Sequence, residues 1–380
     1  MAREYQVCVR CVMDTSDPEI VFDANGVCNH CHYFDDVVKQ RWFPNDEGLR
    51  RLAAIAARIK AEGDRKPYDC ILGLSGGADS SYLALKVHEL GLRPLVLHVD
   101  AGWDYELAVR NIEILLKHCG WDLETVVIDW EEVRDLQLAY LKAGVSNQDV
   151  PQDHAFFAAL YGYAIKNGIR HVLVGGNYAT ESIFPRSWHH PAMDSRNLKA
   201  IHRRFGRIPL RTYPTVSFFK YYFWHPFVRH LQVIRPLNYM PYSRSGAVRE
   251  LEALGWRDYG RKHGESVFTR FFQNHYLVER FGYDKRRPHF ASLILSGQMT
   301  REQALKALAE TLYTSEDLAR DRIYVLKKLG ISEAEWKGYF EAPCRRADEF
   351  PSSETLYRVM KWAQSVVEKR ILHRSVARFS

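Results

Sequence analysis

The chain has 380 residues, 46% of them hydrophobic, and a formal net charge of +7, enough to bury one large core or two modest ones. The first residues carry no apolar signal core and no run of about 18 apolar residues occurs, which argues against secretion and membrane spanning and for a soluble, cytoplasmic protein. There is no internal repeat and no low-complexity tract.

Residues 1–45 show little helical periodicity and hold four of the seven cysteines as Cys8-x-x-Cys11 and Cys28-x-x-Cys31, with sixteen residues between the two pairs. Such close pairs in a long chain with an odd cysteine count point to metal binding rather than disulfides. Two knuckles of this spacing can place four thiolates on one Zn²⁺, leaving no open position, so the ion would be structural in a piece too small to fold on an apolar core. An iron–sulfur cluster would need the same sulfurs. His30 and His32 beside the second knuckle read as surface residues.

A helix from Asp46 to Glu62 leads into strands alternating with helices: Tyr68 to Leu74, Pro94 to Val99, Glu124 to Asp129 and His171 to Gly175, with helices such as Glu106 to Cys119 and His154 to Asn167 between them. This alternation predicts an α/β fold, a parallel sheet with right-handed crossovers and helices on both faces. Ligands of such sheets sit at the carboxyl ends of the strands, where Ser75, Asp100 and Gly175-Gly176-Asn177 would converge.

The first strand runs into Ser75-Gly76-Gly77-Ala78-Asp79-Ser80-Ser81 and a helix start at Tyr82. Gly76 and Gly77 let the backbone approach an anion, and the helix N-terminus favours negative charge, so the segment reads as a phosphate cradle. It lacks the lysine that ordinary nucleotide loops bring to the β- and γ-phosphates. Asp79 suits Mg²⁺, which is usually held by one or two carboxylates plus substrate phosphates. A capping role is compatible with that. Asp100 reads equally as a ribose or metal contact and as a turn residue.

From Tyr178 to Gln232 prolines, histidines and an aromatic run, Phe218 to Trp224, interrupt the alternation before a last strand, Val233 to Leu237. Arg186 to Arg235 holds ten Arg or Lys against Asp194 alone, an excess that suits an anionic partner. The aromatic run reads as a buried helix or a contact between copies of the chain in a homo-oligomer, ahead of a membrane-surface patch. Residues 241–380 are predicted mainly helical, with clear periodicity in Arg301 to Thr311 and Glu354 to Leu372. They begin with a polar cluster, Arg261-Lys262-His263-Gly264-Glu265-Ser266, then Thr269, Gln273 and Asp284-Lys285-Arg286-Arg287, suited equally to solvent and to phosphate or carboxylate.

The S-G-G-x-D-S loop resembles that of the PP-loop ATP pyrophosphatases. With Cys8-x-x-Cys11-Val-Met, Phe22-Asp23-x-x-Gly26-Val-Cys28-x-x-Cys31, Val99-Asp100-x-Gly102-Trp103, Asp153-His154, Gly175-Gly176-Asn177, Lys262-His263-x-Glu265 and Phe281-Gly282-x-Asp284-Lys285-Arg286-Arg287, the chain resembles the N-acetyl sugar amidotransferase family of the WbpG and PseA type. The resemblance implies a zinc ribbon over 1–45, a PP-loop (adenine nucleotide alpha-hydrolase-like) domain over 46–240 with an insertion at about 178–232, and a C-terminal helical region over 241–380 that contacts sugar or phosphate. It implies ATP-dependent conversion of an acetamido to an acetamidino group on a nucleotide-activated sugar, through an O-adenylyl imidate and ammonia, in surface polysaccharide or flagellar glycan synthesis.

By the same resemblance Ser75, Gly76, Gly77, Asp79, Ser80, Ser81, Val99 and Gly175 serve ATP, with Asp79 on Mg²⁺. Lys262, His263 and Glu265 join Asp79 in catalysis, and Lys262, His263, Arg286 and Arg287 meet the sugar or its phosphates. Where many relatives have Gly-Glu-Asn, this chain has Gly175-Gly176-Asn177, so that acid's role passes to Glu181 or is absent. Cys70, Cys119 and Cys344 sit in no nucleophile elbow and residue 2 is Ala, so ammonia would come from a separate glutaminase. No nucleic acid partner is expected. Two readings compete: a tRNA-thiolating enzyme, which RNA binding by Arg186 to Arg235 would favour, and a non-catalytic zinc-ribbon scaffold, which the retained Asp79 and serines oppose.

Overall fold

Five short apolar runs become strands β1 (Cys70–Gly73), β2 (Pro94–Asp100), β3 (Leu123–Val127), β4 (His171–Leu173) and β5 (Gln232–Ile234) of one parallel sheet, ordered β3-β2-β1-β4-β5. The structure, a computed structural model, describes residues 4–260 and 264–367. In register, Leu72 pairs with Val96 on one side and Leu173 on the other. Side chains alternate across the strands. Cys70, Leu72 and Val96 pack with Leu52, Leu83 and Ile112, while Ile71, Leu97 and Val172 pack with Leu160 and Ala164. The central strands β1, β2 and β4 are thus buried on both faces, as a parallel sheet requires, while the edge strands β3 and β5 are partly exposed, and the expected α/β class is borne out.

The expected helices form as Asp46–Gly63, Ala78–Glu89, Glu106–Cys119 and Val150–Lys166, the second and fourth starting one turn earlier than predicted. Beyond β5 the described chain is helical, including Val267–Phe271, Arg301–Ala309 and Glu354–Val367. Residues 368–372 of the last predicted helix lie outside the described residues. A third core gathers Phe268, Phe271, Phe272 and Tyr276 around Trp103, Val325 and Trp336, which fixes the C-terminal helices to the segment after β2.

The aromatic run departs from expectation. It winds as a wide, π-type helix, Lys220–Val228, with Pro226 inside it, and it is not buried: Phe219, Phe223 and Trp224 are exposed. Tyr221 packs against Tyr161, with ring centroids 5.8 Å apart. A proline at that position removes a backbone donor, and a wider turn is one way to accommodate the loss. Among the described residues no helix is long and apolar enough to cross a membrane.

Candidate active site

Strand order reverses between β1 and β4, so the crevice of this sheet opens at the carboxyl ends of those two strands. Both predicted glycine segments lie there. Gly76 has φ +81°, a conformation that glycine adopts without strain, and a Cβ on it would stand 2.8 Å from the carbonyl oxygen of Ala108. Gly175 lies against the start of the helix Ala78–Glu89, where a Cβ would come within 2.9 Å of the amide nitrogen of Ser80. The two segments therefore meet with backbone against backbone.

The loop is braced from inside. The Ser75 and Ser80 hydroxyls are 3.0 Å apart, the amide of Gly77 donates to Ser75 Oγ at 3.3 Å, and Ser80 Oγ donates to the carbonyl of Gly77 at 3.1 Å. Ser75 itself is exposed at the mouth. Ser81 differs: it is fully buried and accepts from the indole Nε1 of Trp256 at 3.2 Å. One helical turn in, its side chain faces the core, which corrects the expectation that Ser81 serves ATP.

Three residues outside the sequence motifs complete the brace. Tyr242 donates its hydroxyl to Asp79 Oδ1. Burial, then the carboxylates of Asp79 and Glu181, hold the Tyr242 phenol far above its usual range, so it remains a donor. Tyr259 donates to the carbonyl of Gly76 at 2.9 Å and accepts from Asn111 Nδ2 at 3.1 Å. His98, near the end of β2, bonds the carbonyl of Leu74 at 2.9 Å through Nδ1 and Asp104 Oδ2 at 3.0 Å through Nε2. Both its partners are acceptors, which calls for two N–H donors. Burial opposes the charge, but the bond and charge of Asp104 prevail and the pKa of His98 is raised.

Glu265 is brought to the loop by backbone pairing. The amide of Tyr105 donates to the carbonyl of Glu265 at 2.8 Å, the amide of Val267 to that of Trp103 at 3.2 Å, and Asp104 bridges Ser266. As a result the carboxylate oxygen of Glu265 would stand 3.1 Å from a Cβ placed on Gly77. Thr269 and Gln273, one helical turn apart, both donate to the buried Asp149, at 3.0 and 3.1 Å. Lys262 and His263 lie outside the described residues.

Other expected site residues are placed elsewhere or otherwise occupied. Val99 is half-buried near the carboxyl end of β2, paired with Val126. Asp100 accepts from the amide of Gly102 at 2.6 Å, the turn arrangement. Buried His154 accepts from the amide of Val216 at 3.2 Å, so the ring is neutral and donates to the carbonyl of Ala192 at 2.7 Å; burial lowers its pKa. Glu181 stands by Gly176, where a Cβ would lie 3.8 Å from its carboxylate.

Arg286 and Arg287, expected at the sugar, are held by groups of the chain itself. Arg286 pairs with Asp284 at 2.8 Å and donates to the carbonyls of Ala307, Leu308 and Glu310, capping the C-terminal end of the Arg301–Ala309 helix. Arg287 pairs with Asp14 at 3.0 Å and donates to the carbonyl of Val12 at 2.8 Å, tying the C-terminal region to the cysteine module. Their fork geometry is already committed to several acceptors each.

Cys8, Cys11, Cys28 and Cys31 are fully buried, and their sulfurs all lie within 4.8 Å of one another. The separations Cys8–Cys31, Cys11–Cys28 and Cys28–Cys31 are 3.8, 3.6 and 3.7 Å. A tetrahedron with Zn–S of ~2.3 Å has an edge of ~3.8 Å, so the cluster fits one zinc-sized ion, whereas a multi-iron cluster would hold the sulfurs farther apart. Amides of Cys11 and Cys28 donate to Cys8 Sγ at 3.4 and 3.3 Å, and Arg301 Nε meets the carbonyls of Cys8 and Cys11 at 3.1 and 3.0 Å. His30 and His32 bond Asp17 and Asp23 instead, at 2.7 and 3.0 Å.

Residues 265–364 match the family model described as LPS biosynthesis protein WbpG-like, C-terminal domain. Among solved structures, the crystal structure of NAD+ synthetase from Burkholderia pseudomallei aligns with 60% of this chain and 94% of its own, at 19% identity and a TM-score of 0.29; the fold assignment rests on the strand order instead. No curated protein matches the chain. The matched segment opens at Glu265, the residue that reaches the glycine loop, and over that segment the chain is similar to the WbpG-like C-terminal domain.

Proposed function

We propose that this chain is an ATP-dependent amidotransferase that converts the acetamido group of a nucleotide-activated sugar to an acetamidino group in surface polysaccharide assembly. The observation that carries the reading is the contact of Glu265, the first residue of the WbpG-like segment, with the glycine loop at the switch point of the sheet. A nucleotide-binding loop and a sugar-specific domain would share one cleft.

An amide carbonyl resists ammonia because its oxygen leaves badly. Attack of that oxygen on the α-phosphate of ATP forms an O–P bond and expels pyrophosphate, leaving an O-adenylyl imidate. Ammonia then adds at the carbon and AMP departs with the original oxygen. The chain's part is to place the amide oxygen in line and to stabilise the charge that develops. The Gly76 and Gly77 backbone and the helix N-terminus would hold pyrophosphate. Asp79, fixed by Tyr242, would hold Mg²⁺ with Glu181 beside it, and Mg²⁺ when bound neutralises phosphate charge. Glu265 would position the acetamido nitrogen or receive a proton from ammonia.

Ammonia would come from a separate glutaminase. Cys70 and Cys119 are buried, and burial raises both thiols, Cys119 to about 11, which suits neither as a glutaminase nucleophile. Incubation with ATP, Mg²⁺, ammonium and a panel of acetamido nucleotide sugars tests the reading: AMP should appear together with a sugar product lighter by one mass unit. Glutamine should replace ammonium only when a glutaminase is added. Turnover of ATP to ADP, or no mass change with any sugar of the panel, would contradict it.

A further inference from the structure

The glycine loop has no lysine, yet a pyrophosphate leaving group carries several negative charges, so the cleft needs a cation from another element. One arginine stands at the right edge. Arg235 directly follows β5, next to β4 in the sheet, and three bonds fix the chain around it. Val174 donates to the carbonyl of Ile234 at 3.1 Å, Asn238 donates to the carbonyl of Arg235 at 3.1 Å, and Tyr178 donates to Asn238 Oδ1 at 2.8 Å. This stitching holds Arg235 beside the segment Val174 to Tyr178, which contains the glycine that touches Ser80.

Its side chain turns toward that segment. A Cβ on Gly176 would lie 3.6 Å from Arg235 Nε and 3.9 Å from its Cδ, with the Glu181 carboxylate 3.8 Å from the same point. The preceding residue, Gly175, lies against the amide of Ser80. The guanidinium thus stands one residue from the start of the loop helix, and it is exposed. Arg244 is paired with Asp258 at 2.6 Å, and Arg286 and Arg287 are committed as described. Arg235 forms no ion pair with any described residue, although Glu181 is close. Its charge also acts on the phenols of Tyr161 and Tyr221, opposing the rise that burial imposes on both.

We infer that Arg235 binds the β,γ-pyrophosphate of ATP, standing in for the lysine that the loop lacks. The inference rests on the ATP reading above. Arginine suits the task because its planar fork can meet two phosphate oxygens at once. A glycine at 176 leaves the path between the guanidinium and the loop clear.

Binding of α,β-methylene-ATP, AMP and an acetamido nucleotide sugar, each with Mg²⁺, is measured by calorimetry on the zinc-loaded protein, Arg235→Ala and Arg235→Lys. Melting temperatures confirm that the variants fold. Arg235→Ala should weaken the triphosphate analogue at least tenfold and AMP less than twofold, with Lys restoring part of the loss. Equal weakening of AMP and the analogue, no weakening at all, or a loss confined to the nucleotide sugar would overturn the assignment. Failure of the unaltered protein to bind the analogue would overturn the ATP reading itself and Arg235's role with it.

Discussion

The four thiols of the cysteine module come from positions at most 23 residues apart, whereas the groups that brace the glycine loop arrive from 163, 175 and 183 residues away, on Tyr242, Trp256 and Tyr259. The module is specified by its own short sequence and needs the rest of the chain chiefly as a seat, through Arg287, Arg301 and the packing of Ile183, Trp188 and Ala291. The loop has the opposite dependence. Its glycines set a backbone shape, but the side chains that hold that shape belong to the region after β5. Loss of metal should therefore damage one region outright, while single changes around the loop should shift binding in smaller steps.

The largest effect is expected from removing the metal. Replacing Cys28 and Cys31 together by Ala should abolish zinc in elemental analysis and open residues 4–45 to protease, since structural zinc in such units contributes on the order of 10 kcal/mol. Full zinc retention would break the comparison at its firmest point. Next comes Gly76→Ala. A left-handed backbone costs a side chain about 1–2 kcal/mol, and the approach to the Ala108 carbonyl adds overpacking of about 1–3 kcal/mol. Nucleotide binding should vanish while zinc content stays whole; an unchanged affinity would mean that the loop is not the cradle.

Trp256→Phe isolates one long-range brace. It leaves the buried Ser81 hydroxyl without its donor, a loss of about 1–2 kcal/mol readable by urea unfolding. The smallest effect concerns pH. His98 has a raised pKa in the folded chain, so its contribution is complete below the unfolded value near 6.5 and is lost as pH rises through the folded one. Exchange of a charged for a neutral hydrogen bond to Asp104 is worth about 1 kcal/mol. Stability measured across pH 6 to 9 should decline by that amount and flatten in His98→Gln, whereas a slope unchanged by the substitution would place the titration elsewhere.

These contrasts also explain what could be read from the residues alone. The cysteine knuckles, the strands and the glycine loop were legible because each rests on local spacing or on a continuous apolar run, and the strand order then brought Gly175 to Ser80 as the switch-point rule requires. The C-terminal polar cluster was only half legible. Its composition suited phosphate, but composition does not reveal a partner: Arg286 caps a helix end and Arg287 clasps Asp14, neither of which a run of charges discloses. Ser81 misled because a motif counts residues while a helix turns about 100° at each one, carrying the third polar side chain into the core. Tyr242, Tyr259 and Arg235 carried no signal beyond their type. Arg235 sits beside a strand end, and that position, rather than the charge excess around it, was the usable clue.

The central claim is that the amide oxygen of the sugar attacks the α-phosphate of ATP, and its fate can be followed directly. An acetamido nucleotide sugar labelled with ¹⁸O in the acetamido carbonyl should, with ATP and ammonium, yield AMP carrying one ¹⁸O and unlabelled pyrophosphate. Label appearing in water or inorganic phosphate, with AMP unlabelled, would contradict adenylylation and with it the shared cleft of loop and WbpG-like domain.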